Sequence, residues 1–275
     1  MVSLLSGCEK ISSDENNVGT VSAAAAESET VTDTESHSVQ TVQTGVIAEQ
    51  ILDGDDGEIH YSYYLPDNYD SGKSYPLVMT MPGYDRMWFG EQSSGSNLNW
   101  NGFLSWTKLD EEMIVASAQL TDWGEKSARQ AIELTEYFTE NFSVNTDRIY
   151  AAGYSAGGET MSRAVSMRPD LFAAYLHGAS QWDGTFEPVA ENGVFVYIFM
   201  AENDEYYGSQ RARDAYDGLR EAYSKSGVSE EDMEDFIRLD IPDDNYFNSR
   251  GIYNYHGGGN IVFDDEEILK LIIQK

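Results

Sequence analysis

The chain has 275 residues, with 48 Asp and Glu against 17 Lys and Arg, a formal net charge of −31. This length suffices for one large domain with a substantial core, and the acidity argues against nucleic acid or an anionic membrane surface as a direct partner, since both would be repelled. A single cysteine, Cys8, excludes internal disulfides and cysteine-based metal sites, and the histidines at 37, 60, 177 and 256 lack ligand spacing, so a zinc enzyme is not expected; separately, no other metal and no organic cofactor is expected.

Leu5-Ser6-Gly7-Cys8 resembles the lipobox of bacterial lipoproteins, in which the cysteine becomes lipidated. Only Met1-Val2-Ser3-Leu4 precedes it, shorter than a full signal with its basic and apolar regions. The expectation is that residues 1–8 are the remnant of a lipoprotein signal peptide. Cys8 would then anchor an extracellular protein to the cell surface, the sole membrane association expected. Residues 9–45 are Ser, Thr, Glu, Ala and Val with almost no aromatics, the composition of a disordered acidic linker that supports no core. The folded domain is predicted over 46–275.

Ile47 to Leu52 and Glu58 to Leu65 read as strands joined by the acidic turn Asp53-Gly54-Asp55-Asp56-Gly57. That turn lacks the twelve-residue calcium-loop pattern and is taken as a hairpin. His60 is read as a strand surface residue. The run Tyr75–Met81 is apolar throughout, as suits a central parallel strand buried on both faces. From Tyr84 to Thr107 the chain is rich in Gly, Ser, Asn and aromatics: Tyr84, Trp88, Phe89, Trp100, Phe103 and Trp106. So long a connection is either a substrate-binding loop or packing over the sheet edge. Strands are predicted at Met113–Ala118, Asp147–Ala152, Phe172–Leu176, Val194–Met200 and Phe236–Ile241. Helices are predicted at Glu125–Phe142, Glu159–Arg168, Ser209–Lys225 and Asp264–Gln274. Strands alternating with helices indicate an α/β class: a mainly parallel central sheet covered by helices on both faces.

Between the strand at 147–152 and the helix at 159–168 lies Gly153-Tyr154-Ser155-Ala156-Gly157. Gly-x-Ser-x-Gly at a sharp strand-to-helix turn is a nucleophile elbow. The serine there is backbone-strained, and the flanking residues must be small to clear the neighbouring strand and helix. In a fold with this elbow the chain order is Ser, then Asp or Glu, then His, each at a strand end. Asp204 follows the Val194–Met200 strand at the expected distance, with Glu202 and Glu205 as alternatives. His256 is the histidine placed after the acid and before the last helix, beside Gly257, Gly258 and Gly259. His177 precedes the acid, so it is at best a neighbour of the site. The loop after Tyr75–Met81 would supply one oxyanion donor, the amide of Tyr84; the amide of Ala156 would supply the other. Tyr154, Trp88, Trp182 and Tyr206 are candidate substrate contacts.

Taken together, Tyr64-Leu65-Pro66 before Tyr75-Pro76-Leu77-Val78, the block Asp147–Gly158, Pro169-Asp170-Leu171-Phe172-Ala173-Ala174 and Glu202-Asn203-Asp204 carry a resemblance. From about Val46 onward the chain resembles the α/β-hydrolase esterases grouped with feruloyl esterases, acetyl-xylan esterases and polyhydroxybutyrate depolymerases, and the catalytic domain of prolyl oligopeptidases. The resemblance implies the α/β-hydrolase fold and a serine hydrolase cleaving carboxylic esters through an acyl-enzyme intermediate. Acetyl or feruloyl esters on plant polysaccharide are the implied substrates. A prolyl-oligopeptidase-like peptidase is the alternative, and a non-catalytic surface binding lipoprotein a more distant one.

Overall fold

The computed structural model describes residues 43–88 and 100–275. The lipobox with Cys8, most of the predicted linker, and Phe89 with the centre of the aromatic loop lie outside the described residues. The domain opens with an antiparallel hairpin, β1 (Gly45–Gly54) and β2 (Gly57–Leu65), in which Gly54 faces Gly57 across the turn. Gly57 has φ +99°, where a side chain would be strained. The acidic turn is held by the helix α2 (Glu125–Asn141): the Asp55 amide donates to Glu133, and Arg129 Nε donates to Asp56 at 2.7 Å.

The other strands are β3 (Tyr75–Met81), β4 (Ile114–Gln119), β5 (Val144–Tyr154), β6 (Ala174–Gly178), β7 (Phe195–Phe199) and β8 (Ile237–Asp240). Among the described residues they form one eight-stranded sheet in the order β1-β2-β4-β3-β5-β6-β7-β8, parallel from β4 through β8. Every residue of β3, β4, β6 and β7 is buried, so these strands are enclosed on both faces. The remaining helices are α1 (Asn101–Leu104), α3 (Ala156–Met167), α4 (Glu187–Glu191), α5 (Ser209–Lys225), α6 (Asp244–Asn248), α7 (Tyr255–Gly258) and α8 (Glu266–Ile273). Helices α2 to α5 pack against one another in sequence, and α1 and α8 meet through the turn Gly259–Asp264. The α/β expectation therefore holds.

Several expectations need correction. Helix α3 begins at Ala156, three residues before its predicted start, because packing overrides the low helix propensity of Gly157 and Gly158. A Cβ on Gly157 would sit 2.2 Å from the Met81 carbonyl oxygen, and one on Gly158 would sit 2.5 Å from Ser180 Cβ. Strand β6 runs two residues later than predicted, since Pro169–Leu171 first makes a 3-10 turn. His177 therefore lies inside the strand rather than beyond its end. His60 is not a surface residue: its ring stacks on Trp88 at 3.7 Å between centroids, and its side chain is only 12% exposed. Within the aromatic connection, Phe103 and Trp106 are core residues of α1 and the following turn.

Candidate active site

The nucleophile elbow is visible in the backbone. Ser155 has φ 52° and ψ −124°, between the end of β5 and the first residue of α3. A non-glycine residue so placed costs about 1–3 kcal/mol and persists only where its surroundings enforce it. Here the Ser155 amide donates to the Gly178 carbonyl at 3.1 Å, and its carbonyl accepts from the Ser180 hydroxyl at 2.7 Å. The glycines permit the close packing: a Cβ on Gly153 would lie 2.6 Å from the Gly157 carbonyl oxygen.

Three side chains from separate segments of the chain meet at this turn. Ser155 Oγ lies 3.0 Å from His256 Nε2, and His256 Nδ1 lies 2.8 Å from Asp204 Oδ2. Asp204 follows β7, and its side chain is fully buried. Its other oxygen accepts the amides of Tyr206 at 2.9 Å and Tyr207 at 2.8 Å. Burial alone would raise the Asp204 carboxyl, but hydrogen bonds from His256 and these two amides outweigh it and hold it below the usual carboxylate range. Because the carboxylate accepts from Nδ1–H, the imidazole presents a bare Nε2 to the serine hydroxyl.

The two alternative acids lie elsewhere. Glu202 is exposed, with its amide bonded to the Pro242 carbonyl. Glu205 accepts the backbone amides of Tyr255 at 2.9 Å and His256 at 2.7 Å, which secures the histidine segment to the acid loop. His256 itself sits in the short helix α7 rather than in the predicted loop, with Asn254 capping its start. The glycines after it serve close packing: a Cβ on Gly259 would fall 2.5 Å from Ala179 Cβ.

The β3 loop passes the other side of the nucleophile. A Cβ on Gly83 would meet the Tyr154 ring at 2.9 Å and Ser155 Cβ at 3.3 Å, so the backbone at Gly83-Tyr84 runs against the elbow. Tyr84 and Ala156 both line the cleft around Ser155, a cavity of about 1140 Å³. The amide of Ala156 stands at the N-terminus of α3, where helical N–H groups lack intrahelical acceptors and favour negative charge. A carbonyl placed over Ser155 would meet a nucleophile, a proton acceptor and amide dipoles together.

The candidate substrate contacts divide. Tyr154 lines the cleft, its ring 5.7 Å from and nearly parallel to His256, and its hydroxyl donates to the His256 carbonyl at 2.9 Å. Burial raises that hydroxyl well above the ordinary phenol range. Tyr206 is 73% exposed at the rim and stacks on His256 at 5.1 Å. Trp88 and Trp182 are not among the lining residues. Trp88 covers His60, and Trp182 packs against Tyr175, His177 and Phe186. His177 is fully buried; its Nδ1 pairs with Tyr175 and its Nε2–H donates to the Ser180 carbonyl, and burial lowers it to about 4. Sequence reasoning missed Trp123, Glu159, Tyr207, Tyr253 and Asn260 as cleft residues, and Trp100 stood only among the aromatic-loop residues left between substrate binding and packing. Of these, Glu159 carried a signal, a charged residue one step past the elbow glycines on a helix packed in the core.

Fold and site together define an α/β-hydrolase architecture with a Ser–His–Asp constellation at the C-terminal ends of its parallel strands. The prolyl oligopeptidase family model matches residues 116–229. No curated protein matches the chain. Among solved structures, it is similar to a thermostable esterase (19% identity, 83% of this chain and 62% of that one, TM-score 0.69). It is also similar to a feruloyl esterase module from Clostridium thermocellum in complex with sinapinate (14% identity, 83% and 87% covered, TM-score 0.55). Oligopeptidase B from Leishmania major shares the fold too (13% identity, 83% and 37% covered, TM-score 0.52). The chain thus spans less than two thirds of the thermostable esterase, and at these identities the likeness is one of fold.

Proposed function

We propose that this chain is a serine hydrolase of carboxylic esters. The observation that carries the reading is the continuous chain from Ser155 Oγ to His256 at 3.0 Å and on to Asp204 at 2.8 Å, built on a strained elbow. Ser155 Oγ attacks the ester carbonyl while His256 Nε2 takes its proton. The same nitrogen returns the proton to the departing alcohol oxygen, leaving an acyl group on Ser155. Water, deprotonated by His256, then attacks the acyl-enzyme and releases the acid. Asp204 holds the imidazole tautomer and stabilises the imidazolium. The amides of Tyr84 and Ala156 face the tetrahedral oxyanion, each donor contributing about 3 kcal/mol in such sites. Hydrolysis of p-nitrophenyl acetate by the wild type and its loss in a folded Ser155→Ala variant is the expected result. Equal rates in the two would remove the mechanism.

Acetyl or feruloyl esters on plant polysaccharide are the proposed natural substrates. The aromatic rim supports this: Tyr84, Trp123, Tyr206 and Tyr253 are all more than a third exposed around the cleft, and such ring faces suit sugar or phenolic planes. A panel of acyl esters without preference for acetyl or feruloyl groups would count against it. A peptidase activity is the second reading, favoured by the match of residues 116–229 to the prolyl oligopeptidase family; cleavage of prolyl p-nitroanilides faster than of p-nitrophenyl esters would establish it. Lipidation at Cys8, and with it a place on the outer cell surface, is proposed from the lipobox pattern alone. Incorporation of labelled palmitate that is abolished by Cys8→Ser tests it.

A further inference from the structure

Tyr207 has no part in the mechanism above, yet it touches both Asp204 and His256. Its amide donates to Asp204 Oδ1 at 2.8 Å, and its ring stands edge-on to His256 at 5.5 Å between centroids. Its hydroxyl donates to Glu159 Oε1, and it lines the same cleft as Ser155. Glu159 is only 7% exposed, in the first turn of α3 beside the nucleophile. Tyr207, Gln181 and Asp183 all act on its carboxyl, and Arg163 pairs with Asp183 instead. Both Glu159 and Tyr207 line the cleft.

A phenol has one proton and two lone pairs. With the proton given to Glu159, the Tyr207 oxygen turns acceptor lone pairs toward the cleft next to the nucleophile. We propose that Tyr207, oriented by Glu159, is a specificity-determining residue that accepts a hydrogen bond from a substrate hydroxyl adjacent to the scissile ester, so that the site favours esters of polyhydroxy alcohols over simple alkyl esters. This rests on the ester-hydrolase reading. The rest of the cleft is acidic: Asp85 adds a carboxylate, Glu205 is held by the amides of Tyr255 and His256, and Arg86 is the one Lys or Arg among the described lining residues. A site built to accept a donor disfavours an analogue that lacks it, because the buried acceptor is then left unpaired.

The test compares 2-hydroxyethyl acetate with propyl acetate, which differ by a terminal hydroxyl in place of a methyl, in wild type and Tyr207→Phe. The wild type should favour the hydroxylated ester by about tenfold in kcat/KM, or about 1.4 kcal/mol. In Tyr207→Phe that ratio should fall to near one, whatever change in rate the two esters share. A preference retained in the variant, or an equal loss on both esters, overturns the assignment. So does a wild type without preference, a result that needs no variant to fold. Wild-type turnover of p-nitrophenyl acetate with a flat ratio sinks the role of Tyr207 alone, whereas inactivity on all three esters removes the hydrolase reading and this one with it.

Discussion

Replacing Asp204 with Asn keeps the size of the side chain and removes its charge, and the structure dictates how the amide must sit. Oδ1 of Asp204 accepts two backbone amides, from Tyr206 and Tyr207, while Oδ2 accepts from His256 Nδ1. An asparagine NH2 turned toward the two amides would oppose donor with donor and lose both bonds in a fully buried position. The asparagine oxygen therefore faces the amides and its NH2 faces His256 Nδ1. Nδ1 must then accept, the ring proton moves to Nε2, and Nε2 points a proton at the Ser155 hydroxyl that it deprotonates in the proposed mechanism. The fold survives and the base is lost. The expected effect is a fall in kcat of about 10³–10⁴, or roughly 4–5.5 kcal/mol, with KM little changed. The assay is p-nitrophenyl acetate hydrolysis at neutral pH with circular dichroism as the folding control. A folded Asp204→Asn enzyme within tenfold of wild type would refute the argument.

Three further outcomes are expected. Glu205→Ala releases the amides of Tyr255 and His256, and should lower kcat about tenfold at nearly constant KM and melting temperature; a loss confined to KM would show that Glu205 serves binding instead. Gly157→Ala forces a methyl to within 2.2 Å of the Met81 carbonyl oxygen and should cost about 3 kcal/mol in urea unfolding; an unchanged midpoint would show that the elbow has room to spare. Burial lowers the folded His177 to about 4, whereas an unfolded histidine titrates near 6.5. The unfolded state therefore binds the proton first, so stability should decline as pH falls from about 6.5 toward 4, by at most about 3 kcal/mol. Urea midpoints across that window should fall less in His177→Gln; parallel curves for the two proteins would assign the decline to other groups.

The sequence alone determined the class of fold and singled out the three residues that the structure brings together at the elbow, and the reason is largely local. Buried parallel strands such as Tyr75–Met81 must be apolar along their whole length. The amphipathic segment Ser209–Lys225 shows its helix with the bounds the structure has. The elbow is local as well, since a strained serine between strand and helix requires Gly153 and Gly157, and those glycines are legible in one dimension. Chain order then singled out Asp204 and His256, which the structure brings to Ser155. Only the tertiary structure decided what depends on which surfaces meet. It separated Asp204 from Glu205, adjacent carboxylates of like chemistry, by turning one to the imidazole and the other to backbone amides. It took Trp88 and Trp182 out of the cleft, because an aromatic side chain in a sequence reads alike as core or as binding surface. It also drew Glu159 and Tyr207, 48 positions apart, into one hydrogen bond beside the nucleophile. A buried carboxylate takes its meaning from the donor that faces it, and that donor is chosen by the packing of the acid loop on the nucleophile helix.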